Sequence, residues 1–333
     1  MKKHISILLA LLLSAGLLSA CSKGHQQPEA SNPEPTENIG AEESQKPQDP
    51  DVSKDSSWPR TIMDAGGHKI ALASQPKRIA ILHSNYLEYF FALGTPVAAS
   101  AGASVGTAQQ ALDTYETLIP YGGTAKIMDL GSAREINLEA VLEAKPDVIV
   151  TFAGHSGLDE IYNQLNQIAP VVLLDYSDTW QNQTRACGEI VGKEDVSEKI
   201  IKETEDTIAS AHEVLSKHDK TVALFRTNGG KAFVARGSRS YYDAFGITPP
   251  KGYTFGYETF SLEAVAEMDP DYIIFMDYVD TAKGFVKSQE ASSVWLNMSA
   301  VKNDNVVYFD DSLNTFGPLA MSLTANKLVH TIK

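Results

Sequence analysis

Asn137-Leu138-Glu139-Ala140-Val141, followed by Glu143, Pro146, Asp147 and Ile149, recurs as Ser261-Leu262-Glu263-Ala264-Val265, followed by Glu267, Pro270, Asp271 and Ile273. Every residue of the second copy stands 124 positions after its counterpart. Each copy reads as an Asn or Ser N-cap, a short helix, a proline that stops it, and a buried strand. A supersecondary unit repeated in this way predicts two lobes of similar build.

Between the copies, Glu194 to Lys217 contains no Gly or Pro and places Val196, Ile200, Ile201, Ile208, Ala211 and Leu215 at helical spacing. A helix of that length would run roughly 36 Å and would serve as a stiff connector, where flexible hinge strands would be short and paired. Continuous apolar runs at Arg78–Leu82, Asp147–Phe152, Val171–Leu174, Val222–Phe225, Tyr272–Met276 and Val306–Phe309 read as buried strands. Tyr86 to Leu93 takes helical spacing up to Gly94, and Thr61 to Leu72 reads as a hairpin around Ala65-Gly66-Gly67. Strands alternating with helices predict an α/β fold with parallel sheets covered on both faces.

The 333 residues carry 28 Lys plus Arg against 42 Asp plus Glu, a formal charge of -14 that excludes a phosphate backbone as a natural partner. With only Cys21 and Cys187 there is neither a disulfide framework nor a cysteine-based zinc site; Cys187 reads as a small buried hydrophobe. Lys2 and Lys3 precede an apolar stretch, Ile5 to Leu18, too short to span a membrane comfortably and laid out as an export signal. Leu18-Ser19-Ala20-Cys21 resembles the lipobox of bacterial lipoproteins. That resemblance implies a signal peptide over residues 1–20, a lipidated Cys21 at the start of the mature chain, and an extracytoplasmic protein anchored to the cell membrane. Residues 21–58, rich in Pro, Glu, Gln, Asp and Ser, cannot bury a core and read as a disordered tether.

Lipobox, tether, hairpin, the Pro76-Lys77-Arg78-Ile79 entry to a buried strand, the two Leu-Glu units and the long middle helix together resemble the helix-linked substrate-binding proteins of ABC importers. The branch is the one that binds iron-siderophore complexes and also includes haem and cobalamin binders. The resemblance implies two Rossmann-like α/β lobes, residues 59–193 and 219–333, joined by a single helix over 194–218, with the ligand cleft between them. It also implies a monomer that needs no cofactor, is not an enzyme, and hands a ferric siderophore to a transmembrane permease dimer. Glu139 and Glu263 match the family's permease-docking glutamates, one per lobe, although a glutamate in a helix's first turn is also favoured by the helix dipole alone.

Ligands of open α/β sheets sit beyond the C-terminal strand ends. Those ends offer His83, Tyr86, His155, Tyr176, Arg226 and Tyr278. Arginine supplies forked donors to chelator oxygens, and aromatic rings cover an apolar ligand rim. Arg236 and Arg239, in Arg236-Gly237-Ser238-Arg239-Ser240, are similar to the family's strand-to-helix turn. Tyr257 follows in a Gly-rich loop, and Asn314 and Phe316 fall in Asn314-Thr315-Phe316-Gly317-Pro318, which resembles the family's entry to its last helix. Hydroxamate binders of the family carry an arginine where this chain has Ala133, with Arg134 one place later, so Arg134 is the candidate there.

Two other readings compete. His83 and His155 at strand ends in one lobe suggest direct metal or haem coordination, but the eight histidines include His4, His25, His68, His212, His218 and His330, none placed to complete a ligand set. Gly102-Ala103-Ser104-Val105-Gly106 matches the nucleophile-elbow pattern of a serine hydrolase using Ser104, without an oxyanion loop before it. No nucleotide-binding glycine motif is present. Trp58, Trp180 and Trp295 read equally as packing residues or ligand contacts.

Overall fold

Arg60–Met63 (β1) and Lys69–Leu72 (β2) pair antiparallel, Arg60 opposite Leu72, across a turn that needs a positive φ at Gly67. The computed structural model describes residues 58–102 and 106–333, all within the unit Lys54–Lys333. The signal peptide, Cys21, the tether up to Ser57, and Ser104 lie outside the described residues. Among the described residues no helix is long and apolar enough to cross a membrane.

The first lobe continues through β3 (Ile79–Ile81), α1 (Leu87–Ala92), β4 (Ala99–Gly102), α2 (Ala108–Thr114), β5 (Met128–Ser132), β6 (Glu135–Ile136), α3 (Leu138–Ala144), β7 (Val148–Phe152), α4 (Leu158–Ile168), β8 (Val171–Leu174) and α5 (Trp180–Val191). Its sheet has the order β6-β5-β4-β3-β7-β8. After α6 (Glu194–Leu215) the second lobe runs β9 (Val222–Arg226), β10 (Phe233–Ala235), α7 (Arg239–Phe245), β11 (Thr259–Phe260), α8 (Leu262–Met268), β12 (Tyr272–Met276), α9 (Val279–Gln289), α10 (Ser293–Asn297), α11 (Ser299–Lys302), β13 (Val306–Phe309) and α12 (Pro318–Thr331), with sheet order β11-β10-β9-β12-β13. The fold is two α/β lobes joined by one long helix.

The repeat has a physical cause in each lobe. Asn137 and Ser261 cap their helices by accepting from the amides of Ala140 and Ala264. Lys145 and Asp269 then take left-handed backbone, and Pro146 or Pro270 prevents any continuation. The aspartate after each proline fastens the next strand to its neighbour. Asp147 accepts from the amides of Lys77 and Arg78 just before β3, and Asp271 accepts from the amide and hydroxyl of Thr221 just before β9. The strands so tied are parallel, Ile79 beside Val148 and Val222 beside Tyr272.

Both sheets are parallel at the centre but carry antiparallel edges, a departure from the all-parallel expectation. β6 runs against β5 and β10 against both β9 and β11. Two of these connections are too short for a crossover: β5 and β6 are separated only by Ala133 and Arg134, and the β9–β10 loop turns on Gly229 and Gly230 with positive φ, whereas β10 reaches β11 through α7. Along α6, Ile201, Ile208, Ala211 and Leu215 are buried while Val196 is exposed. The helix packs against α5, α7 and α12. At its start, Lys193 Nζ donates to the carbonyls of Leu93 and Gly94, each at 2.8 Å, and Arg60 pairs with Glu194.

Candidate ligand-binding cleft

The C-terminal ends of β3, β7 and β8 bring one aromatic group together. Phe152 is its centre, with ring centroids 5.7 Å from His83, 4.9 Å from His155, 5.0 Å from Tyr176 and 6.3 Å from Tyr86. Sequence reading missed it because the last residue of an apolar strand is indistinguishable from core. Tyr176 is 55% exposed and presents its ring outward. Burial, and secondarily the neighbouring His155, lowers the pKa of His83 to about 4, so its imidazole is neutral at ordinary pH.

Two candidates of this lobe sit deeper than the sequence suggested. His155 is buried, its Nδ1 2.6 Å from Thr151 Oγ1 and its Nε2 2.5 Å from the carbonyl of Ala133. Both ring nitrogens are engaged in holding the β5–β6 turn against the loop after β7. Tyr86, 1% exposed, supports the aromatic group from beneath. The turn that His155 holds turns Ala133 inward and leaves Arg134 exposed, the outcome of a two-residue link that gives adjacent side chains opposite directions.

In the second lobe a continuous polar chain crosses the strand ends. Arg236, 5% exposed, donates from Nε to Asn314 Oδ1 at 2.6 Å, and its guanidinium lies 4.9 Å from the Tyr257 ring centre and 5.0 Å from that of Phe316. Asn314 Nδ2 donates to Asp311 Oδ1 at 3.0 Å. Asp311 in turn receives Arg226 Nη2 at 2.7 Å, and the same nitrogen lies 3.6 Å from Asp277 Oδ1. Asp277 accepts from the amide and hydroxyl of Thr227 and from the amide of Tyr278. Burial pushes the Asp311 carboxyl above the usual range, Arg226 opposing and Asp277 adding to the push. Asp311 was not foreseen; a lone aspartate in a polar loop carries no signal of its own. Arg239 is exposed, its guanidinium 5.0 Å from the Phe255 ring centre.

The lobes meet beside this chain. Tyr115 of the first lobe places its hydroxyl 3.4 Å from that of Tyr278 and 3.5 Å from Asp311 Oδ2, and the amides of Glu116 and Thr117 donate to Asp310 and Ser312. Glu139 and Glu263 are exposed in the first turns of α3 and α8. Among the described residues no group of three or more His, Cys, Asp or Glu side chains forms a metal-holding set. Trp295 is buried in the second core, whereas Trp180 lines a surface cavity of about 340 Å³ with His212 and Met321.

A family model described as Periplasmic binding protein matches residues 79–313, well over half of the chain. The chain belongs to this family. Periplasmic binding proteins similar to it include the "Probable siderophore-binding lipoprotein YfiY" of Bacillus subtilis (strain 168), 28% identical over 93% of this chain and 92% of that one. The "Fe(3+)-citrate-binding protein YfmC" of the same organism is 27% identical over 98% of this chain and 95% of its own. Among solved structures, the siderophore binding protein BauB shares the fold with a TM-score of 0.65 at 21% identity, over 83% of this chain and 99% of its own. The family and these relatives are named for binding, which gives the hydrolase reading of Ser104 no support.

Proposed function

We propose that the protein is an extracytoplasmic receptor that captures a ferric siderophore between its lobes and delivers it to the permease of an ABC importer. The observation that carries this reading is the match, over nearly the whole chain, to proteins named for binding siderophores or ferric citrate. The cleft chemistry supports it: an aromatic wall of His83, Phe152 and Tyr176 stands on one lobe, and arginines with Tyr257 and Phe316 stand on the other. Rings and guanidinium forks suit a chelate whose iron is already coordinated, so the protein contributes no metal ligand. Cys21 would carry the lipid anchor, and Glu139 and Glu263 would each meet one half of the permease dimer.

The test is a fluorescence titration of the full chain with ferric trihydroxamate, tris-catecholate and citrate chelates, each beside its iron-free form, with haem and zinc alongside. Saturable quenching by a ferric chelate, absent without iron, is the expected result. A response confined to haem or zinc would overturn the reading.

A further inference from the structure

Two arginines at the second lobe's strand ends receive opposite treatment. Arg226 lies between Asp311, at 2.7 Å, and Asp277, at 3.6 Å, both with side chains largely buried, so its charge is already matched. Arg236 is 5% exposed, yet among the described residues no carboxylate pairs with it. A buried guanidinium held only by an amide oxygen and two rings retains donors for an incoming oxygen. Asp311 governs both: it neutralises Arg226 directly, and through the Asn314 amide it aims Arg236. Two guanidiniums therefore meet two carboxylates before Asp310 is counted, and this wall has no surplus of positive charge.

Among the described residues the first lobe buries no arginine or lysine, and burial keeps His83 uncharged. Arg134 and Arg239 are exposed, and charges in that setting are screened by salt and act on association rate more than on selection.

We infer that Asp311 sets the charge preference of the cleft, favouring a ferric chelate of little net negative charge over trianionic tris-catecholates. The inference rests on the ferric-siderophore reading and names the substrate class of that same site. Arg236 supplies the fork for one or two chelator oxygens, and the Asp277–Asp311 pair acts as the repulsive element against a highly charged competitor. Asp311 is here a positioning and charge-setting residue; nothing requires it to touch iron.

The experiment compares ferrichrome, a neutral ferric trihydroxamate, with ferric enterobactin, a trianionic tris-catecholate, by tryptophan quenching of the full chain. The wild type should bind ferrichrome at least about tenfold more tightly, and Asp311→Asn, which releases Arg226, should narrow that ratio by about tenfold. Arg226→Gln, which leaves the two carboxylates unmatched, should widen it, a second readout that holds even if Asp311→Asn folds poorly. A merely structural role would weaken both ligands together and leave the ratio fixed, which would overturn the inference. Tightest binding of ferric enterobactin by the wild type would overturn it too while leaving the receptor reading intact. Failure of every ferric chelate, citrate included, would sink both.

Discussion

Glu88, on α1 of the first lobe, accepts hydrogen bonds from the amides of Gly317 and Ala320 at 2.9 Å each, so a buried carboxylate of one lobe caps the last helix of the other. The first amides of a helix have no partner within it, and the helix dipole favours a negative group there. This clasp lies just beyond Phe316 on one side and Tyr86 on the other. It therefore ties the segments beside two candidate cleft residues together, and with the stiff α6 it predicts a small closure if the cleft binds its ligand as proposed.

Burial raises the Glu88 pKa to about 7, with Thr315, Ala320, Gly317 and Leu319 partly opposing it. A group whose folded pKa lies above its unfolded value contributes stability that is complete below the unfolded pKa of about 4.5 and is lost as pH rises through 7. Unfolding free energies of wild type and Glu88→Gln, measured in urea from pH 4 to 8, should diverge with pH by up to about 3 kcal/mol. Parallel curves would show that Glu88 does not titrate in this window.

Gly317 is glycine because any Cβ there would overlap the Glu88 carboxylate. Gly317→Ala should cost about 1–3 kcal/mol, as overpacking does in a closed site. Combining it with Glu88→Ala should cost less than the two single changes added, since they share one contact. Strict additivity in urea unfolding would deny the coupling.

The aspartates of the repeat make equivalent bonds in separate lobes. Asp147→Ala and Asp271→Ala each leave strand-entry amides without their acceptor, and each should destabilise by about 1–3 kcal/mol. With no shared partners, their effects on thermal unfolding should add.

Glu139→Ala with Glu263→Ala should abolish ferric-chelate uptake by cells while leaving affinity in solution unchanged, because both side chains are exposed and away from the strand ends. A parallel fall in affinity would place them in the cleft or in the fold instead.

Much of this architecture was legible because it repeats. The constant offset of the two Leu-Glu units, the uninterrupted pattern over α6 and the apolar strand runs are local signals, and the structure follows them. The candidate site was legible only where chemistry departs from what packing needs, as at Arg236 or Tyr176. Phe152 hid because an aromatic residue closing an apolar strand looks like core. Asp311 and Glu88 hid because their roles depend on partners far away in sequence, Arg226 and Gly317, that no spacing rule connects. His155 misled for the opposite reason: at a strand end it looked available, yet Thr151 and Ala133 take both its nitrogens.

The clasp joins residues 229 positions apart, and its second half lies in the chain's closing segment. Any product that stops before Gly317 keeps the buried acid of α1 but loses the amides that answer it, along with the α12 face that covers α6. Such a product would hold an unanswered acid in its interior and bare apolar surface on α6, so α12 works as a lock that closes both lobes at once.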